Sequence, residues 1–215
     1  MVIINQNTLK QKVDNFIQEN HITHLIKDPT DNYQKQIQQA IQKCNALVDI
    51  HTHKYLINIK PMAPKLNVYI QTRKENEPIR SVINNTQAPS YKTAKYLYKK
   101  LHNLVNLPYT YTTKNSQEVA EELKRIQINE SMKIITFDFP VQGIIQPTKF
   151  WLNKHNNTNT VIEQTLHLLK TILKQNYFQY SDHLFQPKKG IAMGSPISCT
   201  VAEIYLQFLE ETHTV

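Results

Sequence analysis

Two of the chain's three glycines stand in the segment Gln186-Pro187-Lys188-Lys189-Gly190-Ile191-Ala192-Met193-Gly194-Ser195-Pro196-Ile197-Ser198, directly before a stretch with helical apolar spacing. Glycine lets a backbone pass close to a ligand, and a helix start offers free N–H groups and the positive end of a dipole. A planar or anionic group could sit on such a turn; an ordinary strand-to-helix connection would use the same residues. Upstream, Met132-Lys133-Ile134-Ile135-Thr136-Phe137-Asp138 reads as a strand ending on a carboxylate, which taken alone is a cap or turn residue.

The charge is concentrated. The 215 residues carry a formal net charge of +8, and the whole excess lies between Lys54 and Lys100, where ten lysines and arginines face only Glu75 and Glu77. Local positive charge of this kind suits a phosphate backbone, whose neutralisation releases counterions; a solvated Lys-rich surface is the alternative. Lys65, Arg73, Lys92 and Lys95, together with Lys188 and Lys189 ahead of the glycine turn, are the expected nucleic-acid contacts. Cys44 and Cys199 lie far apart and outside any metal-binding spacing, so both read as buried apolar residues of a reducing compartment. His51 and His53 stand near Cys44 without a sensibly spaced fourth ligand, which speaks against zinc. No signal peptide or membrane span is expected, and the expected location is nuclear or cytoplasmic.

The elements that must position these residues follow from periodicity. Leu9, Val13, Phe16 and Ile17 predict one amphipathic helix, and Tyr33, Ile37, Ile41, Cys44 and Val48 predict a second, entered through Asp28-Pro29-Thr30. The β-branched and aromatic run from Tyr55 to Tyr69 and the alternating Ile79-Arg80-Ser81-Val82-Ile83 predict a basic two-stranded unit. Helices are expected through Ala94, Leu97, Leu101 and Leu104; through Val119, Leu123 and Ile126; through Ile162, Leu166, Leu169 and Leu173; and from Pro196 through Val201, Ile204 and Phe208. A hairpin is expected between Tyr177 and Phe185, with Ser181-Asp182 at its tip.

The run Gly190-Ile191-Ala192-Met193-Gly194-Ser195-Pro196-Ile197-Ser198, with Ala202-Glu203-Ile204-Tyr205 behind it, is similar to the palm motif of reverse transcriptases of non-LTR and Penelope-like retroelements. Ala63-Pro64-Lys65-Leu66, Thr72-Arg73-Lys74-Glu75 and Pro78-Ile79-Arg80-Ser81-Val82 resemble the fingers of the same family. The resemblance implies an α+β fold, an incomplete right-hand polymerase with fingers and partial palm behind an N-terminal helical segment. Its expected boundaries are 1–53 for the helical segment, 54–130 for the basic fingers-like region and 131–215 for the partial palm. It further implies RNA-directed DNA polymerase ancestry, an RNA template and a DNA primer as partners, and Mg²⁺ as the cofactor. On this resemblance Arg80 and then Lys74 grip the triphosphate, Gly194, Ser195 and Pro196 lie beneath the incoming nucleotide, and Asp138 is the first catalytic, metal-binding aspartate. Two metal ions about 4 Å apart would activate the primer 3′-OH and neutralise the phosphates and leaving group.

The sequence also departs from that family. Ser81 and Arg73 replace its Pro and His, sparing the charges. After Asp138 the chain reads Phe139-Pro140-Val141-Gln142-Gly143. Either about half a dozen residues are missing before Pro140, or Gly143 stands where the family has the aromatic floor of the nucleotide pocket; both imply a damaged pocket. No adjacent Asp pair occurs in the 215 residues, whereas the family completes its metal site with one on a later hairpin. The leading expectation is therefore a truncated, partly degenerate reverse transcriptase fragment without activity of its own. A non-enzymatic basic nucleic-acid-binding protein derived from such an element is the alternative, and a helical interaction module around the first 50 residues is a third reading.

Overall fold

The helices form where apolar residues recur every three or four positions, and several are capped at their N-termini by nearby side chains. In the computed structural model, which describes residues 5–108, 115–126, 143–188, 190–191 and 194–213, α1 spans Gln6–Glu19 and is capped by the Asn5 side chain, which accepts from the Asn7 N–H. Helix α2 (Thr30–Gln42) has Pro29 at its N-cap position, and the Asp28 carboxylate just before it accepts from both the backbone N–H and the hydroxyl of Thr30. The α2 helix ends at Gln42, earlier than its apolar spacing suggests, because Leu47 and Val48 turn back to bond the Cys44 carbonyl. Cys44, Leu47 and Val48 are nevertheless buried.

Helix α3 (Ile50–Leu56) takes in Tyr55 and Leu56, the first residues of the run expected to be extended; the Asp49 side chain caps it by accepting from the His51 N–H. Helices α4 (Tyr91–Leu104), α5 (Ser116–Arg125) and α7 (Asn159–Leu173) fall where periodicity puts them. The α6 helix (Ile145–Lys154) lies in a region with no expected element, and α8 (Ser198–His213) starts two residues after Pro196. The expected strand 132–138 lies outside the described residues.

Two cores hold these elements. The larger joins Ile37 and Ile41 of α2, Leu97 and Leu101 of α4, Trp151 and Leu152 of α6, Leu168 and Leu169 of α7 and Val201 and Ile204 of α8, all buried. Trp151 is wholly enclosed, and its indole N–H donates to the Ile204 carbonyl at 3.2 Å, tying α6 to α8. Burying side chains of this size contributes about 1.5–3 kcal/mol each. The smaller core lies between α1 and the sheet and consists of Val13, Leu66, Ile83 and Phe178.

Among the described residues the sheet has five strands in the order β1-β5-β4-β2-β3. They are β1 (Thr23–Leu25), β2 (Lys65–Ile70), β3 (Ile79–Asn84), β4 (Phe178–Tyr180) and β5 (His183–Gln186). The β2–β3 and β4–β5 hairpins are the two that the sequence predicts; Ser181 at the second tip takes φ 52. The two hairpins meet along a parallel contact of β2 with β4, where Lys65 stands opposite Gln179 and the Gln179 N–H donates to the Pro64 carbonyl at 2.7 Å. Strand β1 adds to β5 at the outer edge. The chain is thus a mixed α and β structure in which segments 1–53, 54–130 and 131–215 all contribute to one sheet and to one main core. Among the described residues no helix is long and apolar enough to cross a membrane.

Candidate nucleic-acid interface

Strand alternation sorts the basic hairpin into two faces. Leu66 stands opposite Ile83, Val68 opposite Ser81 and Ile70 opposite Ile79, and these residues face α1. The other set pairs Lys65 with Asn84, Asn67 with Val82 and Tyr69 with Arg80, and points away from α1. Lys65, Asn67, Tyr69, Arg80 and Asn84 are exposed. Two predicted contacts, Lys65 and Arg80, therefore share a face with an exposed tyrosine that residue type and spacing alone do not single out. Arg80 stands directly opposite Tyr69 in the strand register, about 13 Å along the strand from Lys65.

The hairpin tip carries Arg73 and Lys74, both exposed. Its path is set by Asn76 and Glu77, with φ of 61° and 44°, and by hydrogen bonds from Lys74 N–H to the Gln71 carbonyl and from Glu77 N–H to the Lys74 carbonyl. Lys12 of α1 pins the tip, its ammonium donating to the Asn76 and Glu77 carbonyls at 3.0 Å each. Sequence reasoning misses this lysine, because its partners lie more than sixty residues away.

The glycine turn reaches the same hairpin from the opposite end of the chain. Gly194 has φ +111, and a Cβ on it would stand 2.2 Å from the Ile83 carbonyl oxygen, so no other residue fits without displacing β3. Gly190 has φ +86 with open space around it, and its carbonyl accepts from the Asn176 side-chain amide at 3.0 Å. The Ser195 carbonyl then accepts from both the N–H and the hydroxyl of Ser198, which starts α8. Pro196 is half-buried between them.

A cleft of about 380 Å³ opens between α1, the sheet and this turn, lined chiefly by Phe16, Ile22, Leu66, Phe178 and Ile191, with Asn20, Ser81 and Asn176 as its polar groups. The buried Asn176 Oδ1 accepts no hydrogen bond among the described residues. Ser81 lines the cleft whereas its neighbour Arg80 points to the other face. The structure brings Gly194 and β3 together, but it does not put Arg80 into the cleft.

The remaining predicted contacts differ in availability. Lys95 and Lys188 are exposed. Lys92 is half-buried: its ammonium donates to the Ile57 carbonyl at 3.2 Å and lies 5.6 Å from the centre of the Tyr55 ring, so its charge is already engaged. None of Lys65, Arg73, Lys74, Arg80 or Lys95 pairs with a carboxylate among the described residues. Asp138 and Lys189 lie outside the described residues. Among the described residues no group of three or more His, Cys, Asp or Glu side chains is placed to hold a metal ion.

Comparison with family models, with curated proteins and with solved structures yields no match.

Proposed function

We propose that this chain is a reverse-transcriptase-like fragment of retroelement ancestry that grips nucleic acid through the outer face of the β2–β3 hairpin and has no polymerase activity on its own. The observation that carries the reading is the contact of Gly194 with Ile83. It seats the glycine motif at the end of the strand that bears Arg80, over one hundred residues away in sequence, so the two segments that resemble the family's palm and fingers motifs lie side by side. Lys65 and Arg80 supply phosphate contacts, Arg80 as a guanidinium fork and Lys65 as a point charge, while Tyr69 offers a ring on which a base can stack.

Inactivity follows from the residues present. Mg²⁺, when bound in the family it resembles, activates the primer hydroxyl and neutralises phosphate charge. Asp138 is the one matching ligand here, and a single carboxylate does not hold two hard cations. The second reading, a purely nucleic-acid-binding protein, is favoured by the opposite orientations of Arg80 and Ser81, which separate the phosphate-binding cation from the cleft.

Fluorescence anisotropy with an RNA–DNA template-primer, run from low to moderate salt beside a primer-extension assay with Mg²⁺ or Mn²⁺, tests both parts. Salt-dependent binding without nucleotide incorporation is expected. Failure to bind at low salt removes the nucleic-acid reading, and extension that disappears in Asp138→Asn overturns the inactivity.

A further inference from the structure

We propose that His24 of β1 and His183 of β5 form a two-histidine chelate for a divalent transition-metal ion. The two strands are neighbours, with His24 opposite Phe185 and His183 two residues before it, so the imidazoles meet diagonally on one face of the sheet. His24 Nε2 and His183 Nδ1 lie 3.3 Å apart. In a tetrahedral site with metal–nitrogen bonds of about 2.0–2.1 Å, two ligand nitrogens are separated by about 3.3 Å. The pair therefore already holds the ligand-to-ligand edge that such an ion requires.

Three features favour a ligand pair over a passive contact. The rings are inclined at 65° with centroids 5.2 Å apart, so they meet through their edges rather than stacking. Phe185 packs edge-on against both, at 5.5 Å from His24 and 6.5 Å from His183, which limits how far either imidazole swings. Both histidines are exposed, so an ion enters from solvent and water fills the other coordination positions. No third protein ligand joins them among the described residues, which sets this site apart from a closed four-ligand zinc centre.

Imidazole pairs suit Cu²⁺, Ni²⁺ and Zn²⁺, with Cu²⁺ bound most tightly. Without metal, one ring donates its N–H to the other. On binding, the donor ring moves its proton to its second nitrogen, so two neutral rings ligate with no net proton loss. The ion would then clip the three-residue edge strand β1 to β5, and with it the α1 segment just before.

Titrating the full chain with Zn²⁺ or Ni²⁺ alone in chelator-free buffer, by calorimetry and thermal melting, tests the site. One ion per chain is expected, with Tm raised by about 5–10 °C at free metal about 100-fold above Kd. His24→Ala and His183→Ala should each weaken binding by more than about tenfold, the loss expected even for outer-shell partners. His51→Ala and His53→Ala should leave it unchanged. Because an alanine could loosen the strand edge, the unmodified chain supplies a second readout: Zn²⁺ should shift the ring C–H resonances of His24 and His183 together. Absence of binding, binding that survives loss of both histidines, or shifts confined to other histidines would overturn the proposal.

Discussion

Gly194 lies against Ile83 so closely that a methyl group on it would come within 2.2 Å of the carbonyl oxygen. Gly194→Ala combines that overlap with a φ of +111, and a loss of about 3 kcal/mol or more is expected. Gly190→Ala meets nothing within 4 Å and carries only the backbone penalty of its φ of +86, about 1–2 kcal/mol. Urea midpoints at unchanged slope measure both. Equal losses at the two glycines would mean that contact with β3 does not set the turn.

Arg80 and Lys92 belong to the same basic segment but differ in what their charges already touch. Arg80→Gln should weaken template-primer binding and lower the salt slope by about 0.9 for each phosphate that the guanidinium neutralises. Lys92→Gln should leave the slope nearly unchanged, because its ammonium is engaged by the Ile57 carbonyl and the Tyr55 ring. A drop at Lys92 as large as that at Arg80 would move the interface from the hairpin to α4.

The two cysteines should separate by reactivity and by pH. Cys199 is exposed and Cys44 is buried. A thiol reagent at mild alkaline pH should therefore label Cys199 quickly and Cys44 only after unfolding. Burial raises the Cys44 thiol from 9.0 to about 11. A group whose folded pKa is raised contributes stability that is intact below the unfolded value and is lost as pH climbs through the folded one. Between about pH 9 and 11 stability should fall by up to about 1.4 kcal/mol per pH unit from this group. Burial also raises Tyr33 and Tyr177, which extends the decline to higher pH. Cys44→Ala should flatten the first part of the curve, read from denaturant midpoints across that range.

Gln164 of α7 holds the loop after α2. Its carbonyl oxygen accepts from the Ala46 and Leu47 N–H groups at 2.9 and 3.1 Å, and its amide donates to Asn45 Oδ1 at 3.1 Å. Gln164→Leu leaves the backbone donors without their acceptor and should lose about 1–3 kcal/mol, a fall in Tm of about 2–12 °C. Gln164→Glu keeps the acceptors and should lose less. Similar losses for the two would assign the effect to packing.

Much of this was legible in the sequence because the physics was local. The apolar spacing of Leu97 and Leu101 or of Leu166 and Leu169 fixes a buried helical face without reference to other elements, and Ser181-Asp182 marks a turn by residue type alone. Helix α6 was not legible: Pro147 and Thr148 interrupt its start, no side chain caps it, and Trp151 is aligned by α8 rather than by its own neighbours. Strand β1 is only three residues long and forms because β5 supplies its partner. At the candidate site, composition located the charge. The sharing of one face by Lys65, Tyr69 and Arg80 emerged only from the strand register, and the contacts of Lys12 and Asn176 only from distant backbone carbonyls.

The strand order also dictates a timetable for synthesis. The β2–β3 hairpin is complete once Asn84 is made, yet β2 must wait for β4, which begins at Phe178, and β1 must wait for β5. At about 5–20 residues per second, a nascent chain would expose the Lys65–Ile70 edge for about 5–20 s before its neighbour emerges. Over that interval the lysine at one end of the strand and the charged tip at the other act as guards against pairing with a second ribosome's product.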